Sequence, residues 1–315
     1  MSSLDIETII DRRRLKRRLS LWRLAALIAL GVAILVILPN TRIGHSGDHV
    51  ARVTLAGIIV DDRAQQELIR SIGEDDNVKA LMLYIDSPGG TTTGSEALYE
   101  TIREVGATKP VVAVLGTVAA SGGYIAALSA DHIVSRGNTI TGSIGVLFQL
   151  TRVTGLMETI GVDVDFVRSA PLKAQPNMFE EPPRAALRST QAMVDASYDW
   201  FIGLVVERRG LDEDTARKLS DGRVYTGWQA QENGLVDAIG GEDVARAWLF
   251  DEHDIDNDLP TEEWTVPEET NFTGLTGQAL GHFALQLVGA IGEKTLSTKG
   301  LTLDGLVSVW QPAAH

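Results

Sequence analysis

Apolar and polar positions along the chain fall into three kinds of stretch. The first is a run of fifteen consecutive apolar residues, Leu24 to Leu38, directly behind the basic run Arg12-Arg13-Arg14-Leu15-Lys16-Arg17-Arg18. With Leu21 and Trp22 ahead of it, the run reaches the lower end of the roughly 17–25 residues that cross a bilayer. Basic residues stay on the cytoplasmic side, so the pattern predicts a cytoplasmic segment over 1–20, a transmembrane anchor over 21–39 and a connector over 40–49. Everything past Pro39 is then expected outside the cytoplasm. The rival is a cleaved secretory signal, with an apolar part of roughly 7–15 residues and a small-x-small cleavage site. Here the flank reads Leu38-Pro39-Asn40-Thr41-Arg42, which favours an uncleaved anchor. A buried core helix fails because the basic run would have to lie against the core.

The second kind alternates strand and helix patterns. Val50 to Val60 reads as a strand, and Asp61 to Ile72 as an amphipathic helix with Ala64, Leu68, Ile69 and Ile72 on one face. Val78 to Ile85 is nearly continuous in apolar residues, the mark of a parallel strand buried on both faces, and is expected to stop at Asp86-Ser87-Pro88-Gly89-Gly90. A helix over Glu96–Val105, a strand over Val111–Leu115, a helix over Gly122–Ser129 and a short strand over Asp131–Val134 follow. This alternation predicts an α/β fold. Pro183 to Arg209 is a long helix with the stripe Leu187, Met193, Val194, Tyr198, Phe201, Ile202 and Val205, expected to meet the core or another subunit. One domain is thus read over 50–250.

The third kind is polar. Asp251 to Glu269 carries nine acidic residues and no Lys or Arg, predicting an exposed, mobile linker at the head of a 251–315 tail. In that tail Leu280, Phe283, Ala284, Leu287, Val288 and Ile291 sit at helical spacing, weakened by Gly281, Gly289 and Gly292.

Charge and composition narrow the chemistry. Residues 1–23 hold seven Lys/Arg against three Asp/Glu, so the rest of the chain carries −18 within a total of −14. Nucleic acid is therefore not an expected partner. Cysteine is absent, which excludes disulfides, a thiol nucleophile and Cys-ligated zinc. Neither a phosphate-binding Gly-x-x-x-x-Gly-Lys-Ser/Thr nor a histidine-carboxylate zinc spacing occurs, so no metal or cofactor is expected.

Glycine-rich turns carry the candidate chemistry: Asp86-Ser87-Pro88-Gly89-Gly90, Ala119-Ala120-Ser121-Gly122-Gly123-Tyr124 and Thr141-Gly142-Ser143-Ile144-Gly145. Ser121 stands immediately before an apolar helix, where first-turn amides and the helix dipole favour developing negative charge. That is where an acyl-transfer nucleophile belongs. Gly89 and Gly90 can bring backbone N–H groups close to a substrate carbonyl. Each turn alone also has a bland reading, since serine commonly caps helices and glycine pairs commonly turn the chain.

A serine nucleophile needs a base. No histidine lies between Ile133 and Glu252; His132 opens a short strand, His45 and His49 precede the domain, and His253, His282 and His315 fall in the acidic stretch and tail. The remaining class of base is a lysine kept neutral by burial. Past Ser121 the lysines are Lys173, Lys218, Lys294 and Lys299. Lys218 sits on a charged helix beside Arg217, and the last two are in the tail. Lys173, in Ala170-Pro171-Leu172-Lys173-Ala174-Gln175-Pro176, has the small and apolar neighbours that predict burial, although a surface lysine stays open as the alternative.

Ser121 in AASGGYIAALSADHI, the upstream YIDSPGG, the downstream TGSIGV, Lys173 in RSAPLKAQPN, and DGRVYTGWQAQENGLVDAIGG at Asp221–Gly241 occur in the order seen in the short signal peptide peptidase (SppA) family, which residues 50–245 resemble. The resemblance implies a membrane-anchored serine protease with the Clp protease/crotonase fold of repeated ββα units. It implies Ser121 as nucleophile, Lys173 as general base, Ser143 as the hydroxyl orienting that lysine, and Gly89 or Gly90 with the Gly122 N–H as oxyanion donors. It further implies a ring of subunits, commonly eight, in which Ser121 of one chain meets Lys173 of its neighbour, acting on remnant signal peptides. Ser121 is followed by Gly-Gly-Tyr-Ile where a second aromatic is frequent, a departure that bears on specificity. Two other classes share the fold: an acyl-CoA enzyme, which the acidic extracytoplasmic domain disfavours, and a non-catalytic membrane scaffold, which needs neither Ser121 nor Lys173.

Overall fold

A computed structural model describes residues 22–23, 47–266 and 307–309. The expected anchor over 21–39 lies, but for Trp22 and Arg23, outside the described residues, as does the helical spacing of 280–291. Among the described residues no helix is long and apolar enough to cross a membrane.

From residue 48 onward the chain builds one mixed, mostly parallel sheet. Its strands are β1 (His49–Ile59), β2 (Val78–Thr91), β3 (Val111–Ala120), β4 (His132–Ser135), β5 (Ile140–Gly142), β6 (Val224–Thr226), β7 (Ala238–Ile239), β8 (Thr261–Glu263) and β9 (Val307–Val309). The main path runs β6-β5-β3-β2-β1-β8, with β4 beside β3 and β7, and β9 beside β2. Between the strands lie α1 (Arg63–Glu74), α2 (Thr92–Gly106), α3 (Gly122–Leu128), α4 (Thr154–Ile160), α5 (Arg184–Arg209), α6 (Glu213–Leu219), α7 (Gly227–Glu232) and α8 (Glu242–His253).

Strand side chains alternate between the faces, which explains the near-continuous apolar runs. Ala51, Val53, Leu55, Leu81, Leu83, Ile85, Val111, Ala113 and Leu115 join one core with Ile69, Ile102, Tyr124, Phe201 and Val205 from the helices. Val50, Ala80, Met82, Val112, Val114 and Val134 form the other with Ala245, Leu249 and Ile255. Both faces of the central strands are covered, as a parallel sheet requires.

Two expectations are corrected. The strand expected to stop at Asp86 continues to Thr91, because β1 stays paired with it out to Ile59↔Gly90. An extra residue on β2 near Pro88 is absorbed as a bulge, where Ala56↔Asp86 gives way to Ile58↔Gly89, and a bulge is where a strand tolerates proline. The acidic stretch from Asp251 is not a linker in the described part. Its acidic groups are largely exposed, but β8 pairs with β1, Trp264 and Ile255 are buried, and the Trp264 N–H donates to the Arg52 carbonyl at 2.8 Å. Arg52 supplies the compensating charge through Glu242 and Glu263. The expected boundary at 250/251 falls inside α8.

Candidate active site

The parallel strands β1, β2 and β3 deliver their C-terminal ends to one place, where ligands of open α/β sheets bind. Ser121 leaves β3 there with φ 56° and ψ −117°. Such a backbone costs an L-residue on the order of 1–3 kcal/mol and persists only where its surroundings impose it. The constraints are visible: the Ser121 N–H donates to the Gly142 carbonyl at 2.8 Å, and its own carbonyl accepts the Tyr124 and Ile125 amides, each at 2.9 Å. The Ser121 side chain makes no capping hydrogen bond to α3, so the bland reading of a helix cap does not explain it. The residue is buried, at 1% exposure.

Glycines bring the first two turns into contact. A Cβ on Gly122 would stand 2.4 Å from Ser95 Oγ, 3.0 Å from the Gly90 nitrogen and 3.2 Å from Gly89 Cα. A Cβ on Gly90 would stand 1.7 Å from the Ile59 carbonyl oxygen. Only glycine permits this approach. The two candidate donors on β2 separate here: the Gly89 N–H donates to Ser87 Oγ at 3.1 Å, and Ser87 Oγ donates to the Gly57 carbonyl at 2.6 Å. Gly89 is thereby committed within the turn, leaving Gly90 as the β2 partner of Gly122.

Ser143 follows the strand paired beside the one that ends at Ser121, whereas Lys173 is exposed on a separate segment. β3 and β5 pair in parallel with Ala120↔Gly142 as the last pair, so Ser121 and Ser143 each directly follow that rung. Ser143 is buried, has φ 50°, and donates its N–H to the Arg223 carbonyl at 2.8 Å. Lys173 stands exposed in the arm between β5 and α5, which corrects the burial expected from its neighbours. The reason is the arm itself: α4 buries none of its residues, and Leu156, Ile160, Val162 and Val167 are exposed on it. The loop around Lys173 nevertheless has its own hub. Glu180 accepts from Asn177 Nδ2 at 2.6 Å and Gln175 Nε2 at 2.7 Å and pairs with Arg168. The Asn177 amide, with Arg168 and Gln175, holds the Glu180 carboxyl below the usual carboxylate range.

Behind α3 lies a network that sequence reasoning missed. The buried Tyr124 hydroxyl donates to the Leu235 carbonyl at 2.7 Å. The loop carrying Leu235 is clamped by Arg209, which donates to the Gly234 carbonyl at 2.8 Å and pairs with Asp237 at 2.6 Å. Burial by itself would raise the Asp237 carboxyl, but Arg209 and the Ile133 N–H hold it below the usual range. The signal for this lay in the Asp221–Gly241 motif, whose partners are too distant in sequence to be named from it. His132 stacks on Trp248 at 4.8 Å between centroids, and burial pushes its imidazole down. It aligns with Val112, eight residues before Ala120 on β3, so at about 3.3 Å per residue its backbone stands more than about 25 Å along the strand from the Ser121 turn. His49, opposite Val78, is at that same far end. Among the described residues no cluster of His, Asp and Glu could hold a metal ion.

Comparison with known proteins bears on this geometry. The family model described as peptidase family S49 matches residues 103–256, the stretch holding Ser121, Ser143 and Lys173. The Clp protease model matches residues 51–136, which hold Gly89, Gly90, Ser121 and Gly122. A protein of Synechocystis sp. named as a protease is 34% identical over 230 residues, covering 71% of this chain and 83% of that protein. A protein of Enterococcus faecium named for signal peptide peptidase SppA is 29% identical, covering 85% of this chain and 78% of its own length. The chloroplastic serine protease SPPA of Arabidopsis thaliana is 36% identical over 56% of this chain and 26% of its own.

Proposed function

Because this chain belongs to peptidase family S49 and is a serine peptidase, we propose that Ser121 is its nucleophile and that Lys173 of a neighbouring subunit is its general base, in a membrane-anchored endopeptidase that degrades remnant signal peptides. Neutral Lys173 takes the Ser121 Oγ proton as Oγ attacks the scissile carbonyl. The Gly90 and Gly122 amides receive the oxyanion, and the protonated lysine returns its proton to the leaving amine. Water, deprotonated by the same lysine, then releases the acyl group. Ser143 orients the lysine. The observation that carries this reading is the Ser121 turn: a strained, uncapped serine at a strand-to-helix junction, packed through Gly122 against Gly90.

The exposed position of Lys173 on an apolar arm supports a base that is buried only on assembly, in a closed ring, expected to be octameric. Residues 21–39 hold the catalytic domain on the extracytoplasmic face of the inner membrane, within reach of apolar peptides left in the bilayer. No nucleic acid is a partner. The test is direct. Ser121→Ala and Lys173→Ala should each abolish hydrolysis of a Leu/Ala-rich signal-peptide sequence while circular dichroism and assembly stay unchanged. Retained turnover in Lys173→Ala, or preference for a charged peptide of equal length, contradicts the reading.

A further inference from the structure

Gly142 and Ser143 are two successive residues in the left-handed region, with φ 79° and 50°. Ser143 keeps such a backbone only where its surroundings impose it, and the turn is gripped from two directions. On one side the Gly142 carbonyl accepts the Ser121 N–H at 2.8 Å, and Thr141 Oγ1 donates to the Ala119 carbonyl at 2.7 Å, tying β5 to the strand that ends at Ser121. On the other side the first residues of the Asp221–Gly241 motif close over the turn. β6 pairs antiparallel with β5, Thr141↔Tyr225 and Gly142↔Val224, and the Arg223 carbonyl accepts the Ser143 N–H at 2.8 Å. The Tyr225 ring lies so near that a Cβ on Gly142 would stand 2.6 Å from its Cδ2. Tyr225 is buried and fixed at its far end, where its hydroxyl donates to the Leu219 carbonyl at 2.9 Å. The next carbonyl, that of Ser220, accepts the Tyr198 hydroxyl at 2.6 Å, and Asp221 Oδ1 accepts the Arg223 N–H at 3.1 Å to shape the turn between.

Resting on the reading of Ser121 as nucleophile, we infer that Tyr225 is a positioning residue for that site: its ring fixes Gly142, and through Gly142 the backbone of Ser121 and Ser143. The chain of contacts is short. The ring packs on Gly142, whose carbonyl holds the Ser121 N–H, and Ser143 is the next residue. Glycine has the widest choice of backbone angles, so a gap in place of the ring frees Gly142 to turn its carbonyl away. Ser121 then loses the hydrogen bond on its amide and keeps only those on its carbonyl, from Tyr124 and Ile125. Misplacing a reacting group by about 1 Å costs up to roughly 10²-fold in rate. The proposed oxyanion donors Gly90 and Gly122 belong to other elements, β2 and α3, so the loss belongs to kcat and not to KM. A tyrosine that served packing alone would alter melting and leave the turnover of each folded site unchanged.

The test uses the full, assembled chain and three substitutions. Tyr225→Leu removes the ring, Tyr225→Phe keeps it and gives up only the hydrogen bond to Leu219, and Gly142→Ala places a methyl where the ring stands. Sites are counted with a serine-reactive fluorophosphonate, with Ser121→Ala as the blank, and kcat is expressed per labelled site so that unfolded chains do not enter. The expected result is a kcat per site about 10- to 100-fold lower in Tyr225→Leu with KM little changed, and most of kcat kept in Tyr225→Phe. Because both changes act at one contact, Gly142→Ala/Tyr225→Leu should fall no further than Gly142→Ala alone, whereas independent effects multiply. Parent kcat per site in Tyr225→Leu, or losses that multiply in the double variant, overturn the inference while labelling still depends on Ser121. Label retained by Ser121→Ala overturns the site reading itself, and the role of Tyr225 with it. Where Tyr225→Leu does not assemble, Tyr225→Met, which fills irregular gaps more readily, is held to the same criterion.

Discussion

Ser121, Ser143, Ala174 and Asp254 are the non-glycine residues with positive φ among the described residues. Two of them carry proposed catalytic hydroxyls and a third directly follows Lys173, so strain gathers where chemistry is assigned, as functional sites tend to arrange it. At Ser121 this can be measured. Glycine relieves a strain of about 1–3 kcal/mol and loses about 0.4–1 kcal/mol through the freer unfolded chain. Ser121→Gly should therefore melt as a protein about 1 kcal/mol more stable than Ser121→Ala, both being inactive; a less stable glycine variant contradicts the strain account. Gly122→Ala tests the other half of the turn. Its methyl would meet the Gly90 nitrogen at 3.0 Å, and displacing an oxyanion donor costs on the order of 10²–10³ in kcat. Steady-state kinetics should show that fall with KM little changed.

Among the elements, the arm from Ser143 to Pro183 behaves least like the rest of the domain. Leu156 and Ile160 on α4 are each 61% exposed, and Leu187 and Met193 near the start of α5 are exposed as well, whereas Phe201, Ile202 and Val205 near its end are core. One helix thus serves two surfaces. Ile160→Glu should leave monomer stability within about 0.5 kcal/mol, the usual range for an exposed position, yet abolish assembly and activity together. Analytical ultracentrifugation beside a peptide assay checks it, and an active monomeric variant contradicts the shared site. The central strands were legible in the chain because both faces of a parallel sheet demand long apolar runs, and Val50–Val60 and Val111–Leu115 announce themselves that way. The continuation of β2 through Pro88-Gly89-Gly90 was not, because bulges depend on neighbouring strands. The place of Trp264 and Ile255 in the cores was hidden by the acidic residues around them. The place of Ser121 at a strand-to-helix turn was legible from its small neighbours and the apolar helix that follows; the exposure of Lys173 was not, since its small and apolar neighbours read locally as a buried segment.

For the whole molecule, the proposed arrangement accounts for several separate features: a basic and apolar N-terminal segment, an acidic domain, a buried Ser121 and an exposed Lys173. In the proposed ring the arm of each subunit lies against the Ser121 turn of the next, and heterologous contacts of that kind can close on themselves. The measurement that bears most directly on this is complementation between two dead enzymes. Ser121→Ala and Lys173→Ala chains are unfolded, mixed in equal amounts, refolded together and assayed on an apolar peptide. A shared site predicts that on the order of one quarter of the interfaces join an intact serine to an intact lysine, so about one quarter of wild-type activity returns whatever the subunit number. Mixed rings that assemble and stay inactive would show that each chain must supply both residues to its own site.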